Sequence, residues 1–316
     1  MQLRTVGRSE IAIPPLVIGG NVFGWTAKQQ AACSILDACC DAGFNTIDTA
    51  DIYSVFVPGH QGGESETVIG NWLAQRRQRD RIIIATKVGM QMAPGKTGLS
   101  RAHILTSVDE SLRRLQTDYI DIYFAHQDDP QTPLEETLTT FADLVRLGKV
   151  RAIGASNYTA ARLREALEVS AKLGLPRFEL LQPHYNLYER AEYERDLETL
   201  CEQERLGVTP YFALASGFLT GKYRSEADFV KSPRGRRMGS YLNPRGLRIL
   251  ATLDAVATRY DATQAQVALA WLMARPSITA PIASATSVEQ ARDITGAARL
   301  QLDADALQSL DTASAA

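Results

Sequence analysis

Residues 82–87, Ile-Ile-Ile-Ala-Thr-Lys, form a short apolar run that ends on a lysine. A run without polar alternation has no solvent face, so it reads as a strand buried on both sides, as in a parallel sheet. Seven similar runs punctuate the chain: PLVIGG (15–20), NTIDTA (45–50), YIDIYFA (119–125), VRAIGAS (150–156), ELLQPHY (179–185), GVTPYFA (207–213) and ITAPIA (278–283). Helical patterns lie between them at 28–42, 64–78, 101–115, 134–147, 159–173, 190–205 and 246–274. The last is too long for one helix, and Asp261-Ala262-Thr263 divides it. A strict strand-then-helix order implies parallel strands with right-handed crossovers, and eight such units make an α/β fold of the (β/α)8 TIM-barrel type. A doubly wound open sheet is the alternative. Its Gly-rich first turn is missing here, because residues 19–24, GGNVFG, do not match G-x-G-x-x-G.

Local signals support this register. Ser100 and Thr159 are suited to open helices, and Gly43, Gly148 and Gly174 fall where helices should stop. Residues 1–14 read as an extra N-terminal hairpin turning at Gly7-Arg8-Ser9, and DADALQSLDTA reads as a C-terminal helix. Residues 90–99 and 224–245 are long loops, which in a barrel lie over the C-terminal mouth where chemistry occurs. No linker or repeat interrupts the chain, so residues 1–316 read as one barrel domain.

Composition narrows the function. The chain has 316 residues, 45% of them hydrophobic, and a formal charge of −2. That is enough apolar chain for a full core and too little positive charge for a nucleic-acid or anionic-membrane partner. The four cysteines have no C-x-x-C spacing and read as reduced, buried thiols. The first residues lack the apolar run of a signal peptide, and no stretch of about 18 apolar residues follows, which points to a soluble cytoplasmic protein.

Asp48 and Lys87 each end or nearly end an apolar run, Tyr53 lies five residues after Asp48, and His126 follows YIDIYFA. In a parallel barrel such ends share one mouth. A buried ammonium is costly unless a carboxylate partners it, and Asp48 is the natural partner for Lys87. That pair beside Tyr53 is expected to lower the phenol from its usual pKa of about 10 toward neutrality, tuning an acid that delivers a proton to a carbonyl oxygen. His126 would orient or polarise that carbonyl; the plainer reading is a hydrogen-bonded histidine at a strand end. No H-x-H pair, H-E-x-x-H, G-x-S-x-G or G-x-x-x-x-G-K-[ST] occurs, which speaks against metal, serine-nucleophile and phosphate-loop chemistry.

The strings FNTIDTADIY, IATKVG, YIDIYFAHQDDP, GKVRAIGASNY, LLQPHYNLYER and LASGFLTGKYR, in this order over nearly the whole chain, resemble the aldo-keto reductase superfamily. The resemblance implies a (β/α)8 barrel that binds a nicotinamide cofactor in extended form and reduces an aldehyde or ketone, or oxidises the corresponding alcohol or sugar. By the same resemblance Tyr53 is the general acid, Asp48 and Lys87 tune it, and His126 positions the carbonyl. Ser156, Asn157 and Gln182 match the residues that hold the nicotinamide carboxamide, and Tyr211 matches the stacking aromatic. Gly20 also falls among the cofactor positions. Leu214, Ser216, Gly217 and Lys222 lie in a segment resembling the pyrophosphate loop, and Ser284, Thr286, Gln290 and Asp293 in one resembling the adenosine-end motif.

Departures occur at that last motif. Ser284 stands where Gly is usual and Asp293-Ile294 where Glu-Asn is usual, and Ile294 has no group to offer adenine. No Lys or Arg occurs at 284–287 to meet a 2′-phosphate, which leaves Arg224, Arg234, Arg236 and Arg237 as candidates. NADPH is the cofactor the family implies, with NADH left open. Trp25 falls where an aromatic lines the family's substrate pocket. A nucleotide-sensing regulatory subunit and a barrel sugar isomerase or lyase are the competing functions. Neither the carbonyl substrate nor the oligomeric state is legible.

Overall fold

A computed structural model describes residues 1–232 and 235–315, without the side chains of residues 236 and 237. The chain opens with an antiparallel hairpin, β1 (Arg4–Thr5) and β2 (Ala12–Ile13). Eight parallel strands follow: β3 (Val17–Gly19), β4 (Thr46–Asp48), β5 (Ile83–Val88), β6 (Ile120–Ala125), β7 (Val150–Ser156), β8 (Phe178–Gln182), β9 (Gly207–Val208) and β10 (Ile282–Ala283). From β3 to β9 each pairs with the next in sequence, and β10 returns to pair with β3. The remaining gap is closed by backbone bonds from Thr279 and Ala280 to the Val208 carbonyl and from Ile282 to the Pro210 carbonyl. The result is a (β/α)8 barrel.

Side chains alternate across each strand, and the two faces pack separately. Ala85, Ile122, Phe124, Ala152, Leu180 and Ile282 fill the lumen. Val6, Ile11 and Ile13 join them, so the hairpin seals the N-terminal end of the barrel. Ile47, Ile84, Tyr123, Ile153, Ala155 and Leu181 face outward against the helices. At Gly154 a side chain would collide with the ring of Phe124, so the lumen admits none there.

The helices are α1 (Gln29–Asp41), α2 (Glu64–Arg76), α3 (Arg101–Leu115), α4 (Leu134–Arg146), α5 (Ala160–Leu173), α6 (Glu198–Glu204), α7 (Pro244–Arg259), α8 (Gln264–Met273), α9 (Val288–Gly296) and α10 (Ala304–Ser314). The expected caps form: Ser100 accepts from His103 N and Thr159 from Arg162 N. The 246–274 stretch divides where expected, and Thr263 opens α8 with a reciprocal capping box to Gln266.

Several boundaries differ from the sequence reading. The run 179–185 stops as a strand at Gln182 and 207–213 at Val208, because Pro183 and Pro210 have no N–H to extend a ladder. Only an isolated bridge between His184 and Tyr211 continues the pairing. The stretch 190–205 opens with a π-helical turn over Tyr193–Leu197 before α6. The long loop 224–245 contains short 3-10 turns at Glu226–Lys231 and Gly235–Ser240. Helix α9 is not among the expected helices, its nine residues burying only Ala291, Ile294 and Thr295. No helix among the described residues is long and apolar enough to cross a membrane.

Candidate active site

Strand alternation delivers one polar side chain from each of four strands to the C-terminal end of the lumen. Asp48 ends β4, Lys87 lies near the end of β5, Ser156 ends β7 and Gln182 ends β8. All four share the inward phase of the lumen residues on their strands, and His126 is one step in phase beyond Phe124. Lys87 Nζ is fully buried and donates to Asp48 Oδ2 at 2.7 Å and to the Thr49 carbonyl at 2.6 Å. Gln182 Nε2 donates to the other Asp48 oxygen at 2.9 Å. Burial alone would push the Lys87 ammonium down, but Asp48 holds it above the usual lysine value. The expected Asp48–Lys87 pair is therefore present, with Lys87 as an ammonium.

Tyr53 lies in the turn after β4, with Lys87 Nζ 5.1 Å from the centre of its ring. The His126 ring meets it edge-on at 6.0 Å between centroids. The expected lowering of the Tyr53 pKa is not the net result. Burial pushes the phenol above its usual value, Lys87 opposes this, and Asp48 adds to it. Desolvation outweighs the ammonium because Asp48 already neutralises much of that charge. Tyr53 is thus a protonated phenol through the neutral range. Burial, then the Lys87 charge, holds His126 well below the usual histidine value, so its imidazole is neutral. Its Nδ1 is buried without a hydrogen-bond partner among the described residues. A protonated phenol and a neutral imidazole at one mouth form a proton-donating site with a second polar group beside it.

The remaining mouth residues are linked to one another. Ser156 Oγ donates to the Gln182 carbonyl at 2.9 Å, and Asn157 Nδ2 donates to the His126 carbonyl at 2.9 Å. Tyr211 Oη donates to Asn157 Oδ1 at 2.8 Å. Tyr211 packs against the lumen cluster and stacks on His184 at 5.2 Å and 12°. Amide and hydroxyl groups beside an aromatic face fit a nicotinamide carboxamide and ring. Gly20 is tied into the wall, its N–H donating to the Asp48 carbonyl at 2.7 Å and its carbonyl accepting from Ser65 Oγ.

The segment from Leu214 turns sharply. Ala215, Ser216 and Gly217 have φ of +47°, +55° and +101°. Lys222 lies against Gly217, where a side chain would meet its Cε and Nζ at 3.4 Å, and the positive φ at Gly217 suits a residue without a side chain. A cationic side chain beside a partly buried turn fits a pyrophosphate. At the adenosine end, Ser284 Oγ donates to Asn21 Oδ1 at 2.6 Å, and the N and Oγ1 of Thr286 both donate to Gln290 Oε1. Asp293 Oδ1 accepts from Thr263 Oγ1 at 2.8 Å. Ile294 is buried in the outer core. Arg224 is held by the Gly221 carbonyl and by Asp254. Arg234 and the side chains of Arg236 and Arg237 lie outside the described residues.

Trp25 is half-buried and meets Phe56, on the loop after Tyr53, edge-on at 5.1 Å. Sequence reasoning missed two residues here. His184 is the stacking partner of Tyr211. Asp51, two residues before Tyr53, is fully buried, and burial followed by Glu66 holds it well above the usual carboxylate value. Nothing in the periodicity marks either. Among the described residues no group of three or more His, Cys, Asp or Glu is placed to hold a metal ion.

A barrel with a buried Asp–Lys pair, a phenol and an imidazole at its C-terminal mouth is the architecture of a barrel oxidoreductase. The chain belongs to the aldo/keto reductase family, whose sequence model matches residues 15–315. It is 31% identical to the L-glyceraldehyde 3-phosphate reductase of Escherichia coli, over 92% of this chain and 85% of that protein. It is 33% identical to the uncharacterized oxidoreductase YrpG of Bacillus subtilis, over 98% and 95%. It is also 33% identical to a putative voltage-gated potassium channel subunit beta of Schizosaccharomyces pombe, over 91% and 85%.

Proposed function

We propose that this chain is an NAD(P)H-dependent carbonyl reductase acting on small aldehydes or ketones, reversibly with the corresponding alcohols or sugars. The observation that carries the reading is the buried Lys87, bonded to Asp48 and set beside the Tyr53 ring. A reduced nicotinamide, when bound, supplies hydride to the carbonyl carbon. Tyr53 donates its phenolic proton to the carbonyl oxygen, and Lys87 stabilises the phenolate that remains. Asp48 keeps Lys87 charged and fixed, and neutral His126 orients the carbonyl oxygen without competing as an acid. Ser156, Asn157, Gln182 and Tyr211 would hold the nicotinamide. Asn157 already spends its oxygen on Tyr211, so a carboxamide would have to share or replace that contact. Gly20, Leu214, Ser216, Gly217 and Lys222 would hold the pyrophosphate side, and Ser284, Thr286, Gln290 and Asp293 the adenosine. NADPH is taken as the cofactor, with NADH as the alternative.

Relatives named as channel β subunits support a second reading, a nucleotide-sensing subunit with little turnover. One experiment separates the two. The purified protein is titrated with NADPH and with NADH by fluorescence, and 4-nitrobenzaldehyde is then added. Binding with oxidation of the cofactor is the result expected of a reductase. Tight binding without oxidation favours the sensor, and no binding overturns both.

A further inference from the structure

The loop that carries Tyr53 is gathered by one carboxylate. Glu64, the first residue of α2, accepts three backbone N–H bonds. Gln61 donates to Oε1 at 2.8 Å, and Ser54 and Gly62 each donate to Oε2 at 3.1 Å. Ser54 directly follows Tyr53, so the bond fixes the backbone at the phenol's own position. Next to it, Ser65 N donates to the Tyr53 carbonyl at 3.4 Å. His60 Nδ1 stands 3.9 Å from Glu64 Oε2. Burial alone would raise the Glu64 carboxyl, but the amides of Gln61 and Ser54, its own amide and His60 hold it below the usual range. It is an ionised acceptor at neutral pH, and such bonds are about twice as strong as neutral ones.

The loop after β3 packs against the start of α2. Gly24 has φ +76°, and a side chain there would meet the Cβ of Glu64 at 2.9 Å. Gly24 precedes Trp25, the ring that meets Phe56. Phe56 lies between Ser54 and Gln61, inside the span that Glu64 gathers, and is 53% exposed. One carboxylate therefore sets both the backbone beside Tyr53 and the loop that carries Phe56 to meet Trp25.

We infer that Glu64 is the positioning residue for Tyr53, latching the 54–62 loop so that the phenol stays beside Lys87 and Trp25–Phe56 is presented as an apolar wall for an aromatic carbonyl substrate. The functional half of this inference rests on the reductase reading; the latch does not. Glu64 touches no reacting group and acts only through the loop.

The test compares the intact wild type with Glu64→Ala and Glu64→Gln, the second keeping size and one acceptor. Backbone amide exchange is followed at Ser54, Gln61 and Gly62, with NADPH binding and thermal melting as checks on folding. In Glu64→Ala these three amides are expected to exchange at least roughly tenfold faster while those of β5 stay protected, with Glu64→Gln between. In turnover, kcat is expected to fall roughly tenfold or more with NADPH affinity unchanged, and KM to rise more for 4-nitrobenzaldehyde than for propanal. Unchanged exchange in both variants overturns the latch. Faster exchange with wild-type kcat and KM overturns the positioning role. A wild type that binds no nicotinamide and turns over nothing overturns the reductase reading and the functional half with it, while the exchange rates still decide the latch.

Discussion

Gln182 and Asp48, 134 positions apart in the chain, meet inside the barrel, where Gln182 Nε2 donates to Asp48 Oδ1 at 2.9 Å. Lys87 occupies the other carboxylate oxygen at 2.7 Å. Three strands thus fix one carboxylate from two sides, and Asp48 has no oxygen left free of a strong donor. Such a group orients and holds charge; it is poorly placed to shuttle protons.

Lys87→Met removes the cation and leaves Asp48 buried without its counter-charge. Losing one partner of a buried pair costs about 3–5 kcal/mol. Urea unfolding should show that loss, and adding Asp48→Asn to Lys87→Met should recover much of it. Additive losses in the double variant would mean that the two residues do not depend on one another.

Tyr53→Phe keeps the ring and deletes the proton. With the phenol as general acid, kcat should fall by about 10²–10⁴. NADPH affinity should hold, because no cofactor-binding role is assigned to the phenol oxygen. Stopped-flow oxidation of bound NADPH measures both quantities, and near-normal turnover would remove Tyr53 from the chemistry.

The barrel was readable because a strand buried on both faces must be apolar, and eight such runs alternate with helical patterns. The same logic exposed Lys87, since a lysine ending IIIAT has to find a carboxylate. The net direction of the Tyr53 shift was not readable, because it depends on how far burial outweighs a cation already paired with Asp48. Strand ends at Pro183 and Pro210 were overrun because an apolar run continues in sequence after the ladder has lost its N–H. Glu64 gave no signal either: its partners are backbone amides, which have no sequence identity.

His126 gives a pH signature of stability. Its folded pKa lies well below the usual value of about 6.5, while the unfolded chain titrates near that value. Between the two the unfolded state binds a proton that the folded state does not. Stability is therefore full above 6.5 and is lost as pH falls, by up to about 1.4 kcal/mol per pH unit. Unfolding free energies from pH 7.5 to 5.5 should show this slope, and His126→Gln should flatten it by one proton. An equal slope in the variant would assign the proton to another group.

Ile294→Asn would restore the residue usual in the family at the adenosine end. Ile294 is 3% exposed and packs in the outer core. A new amide there enters an apolar site rather than a ligand's edge, and burying it without partners should cost about 2–4 kcal/mol together with the lost packing. The neighbour that does carry a polar group, Asp293, is bonded to Thr263 in the loop ahead of α8. The substitution should therefore lower the melting temperature and leave NADPH and NADH affinities within roughly twofold of wild type, since no adenine contact is gained. Tighter cofactor binding in a fully folded Ile294→Asn protein would show instead that α9 turns this position toward the ligand when it binds.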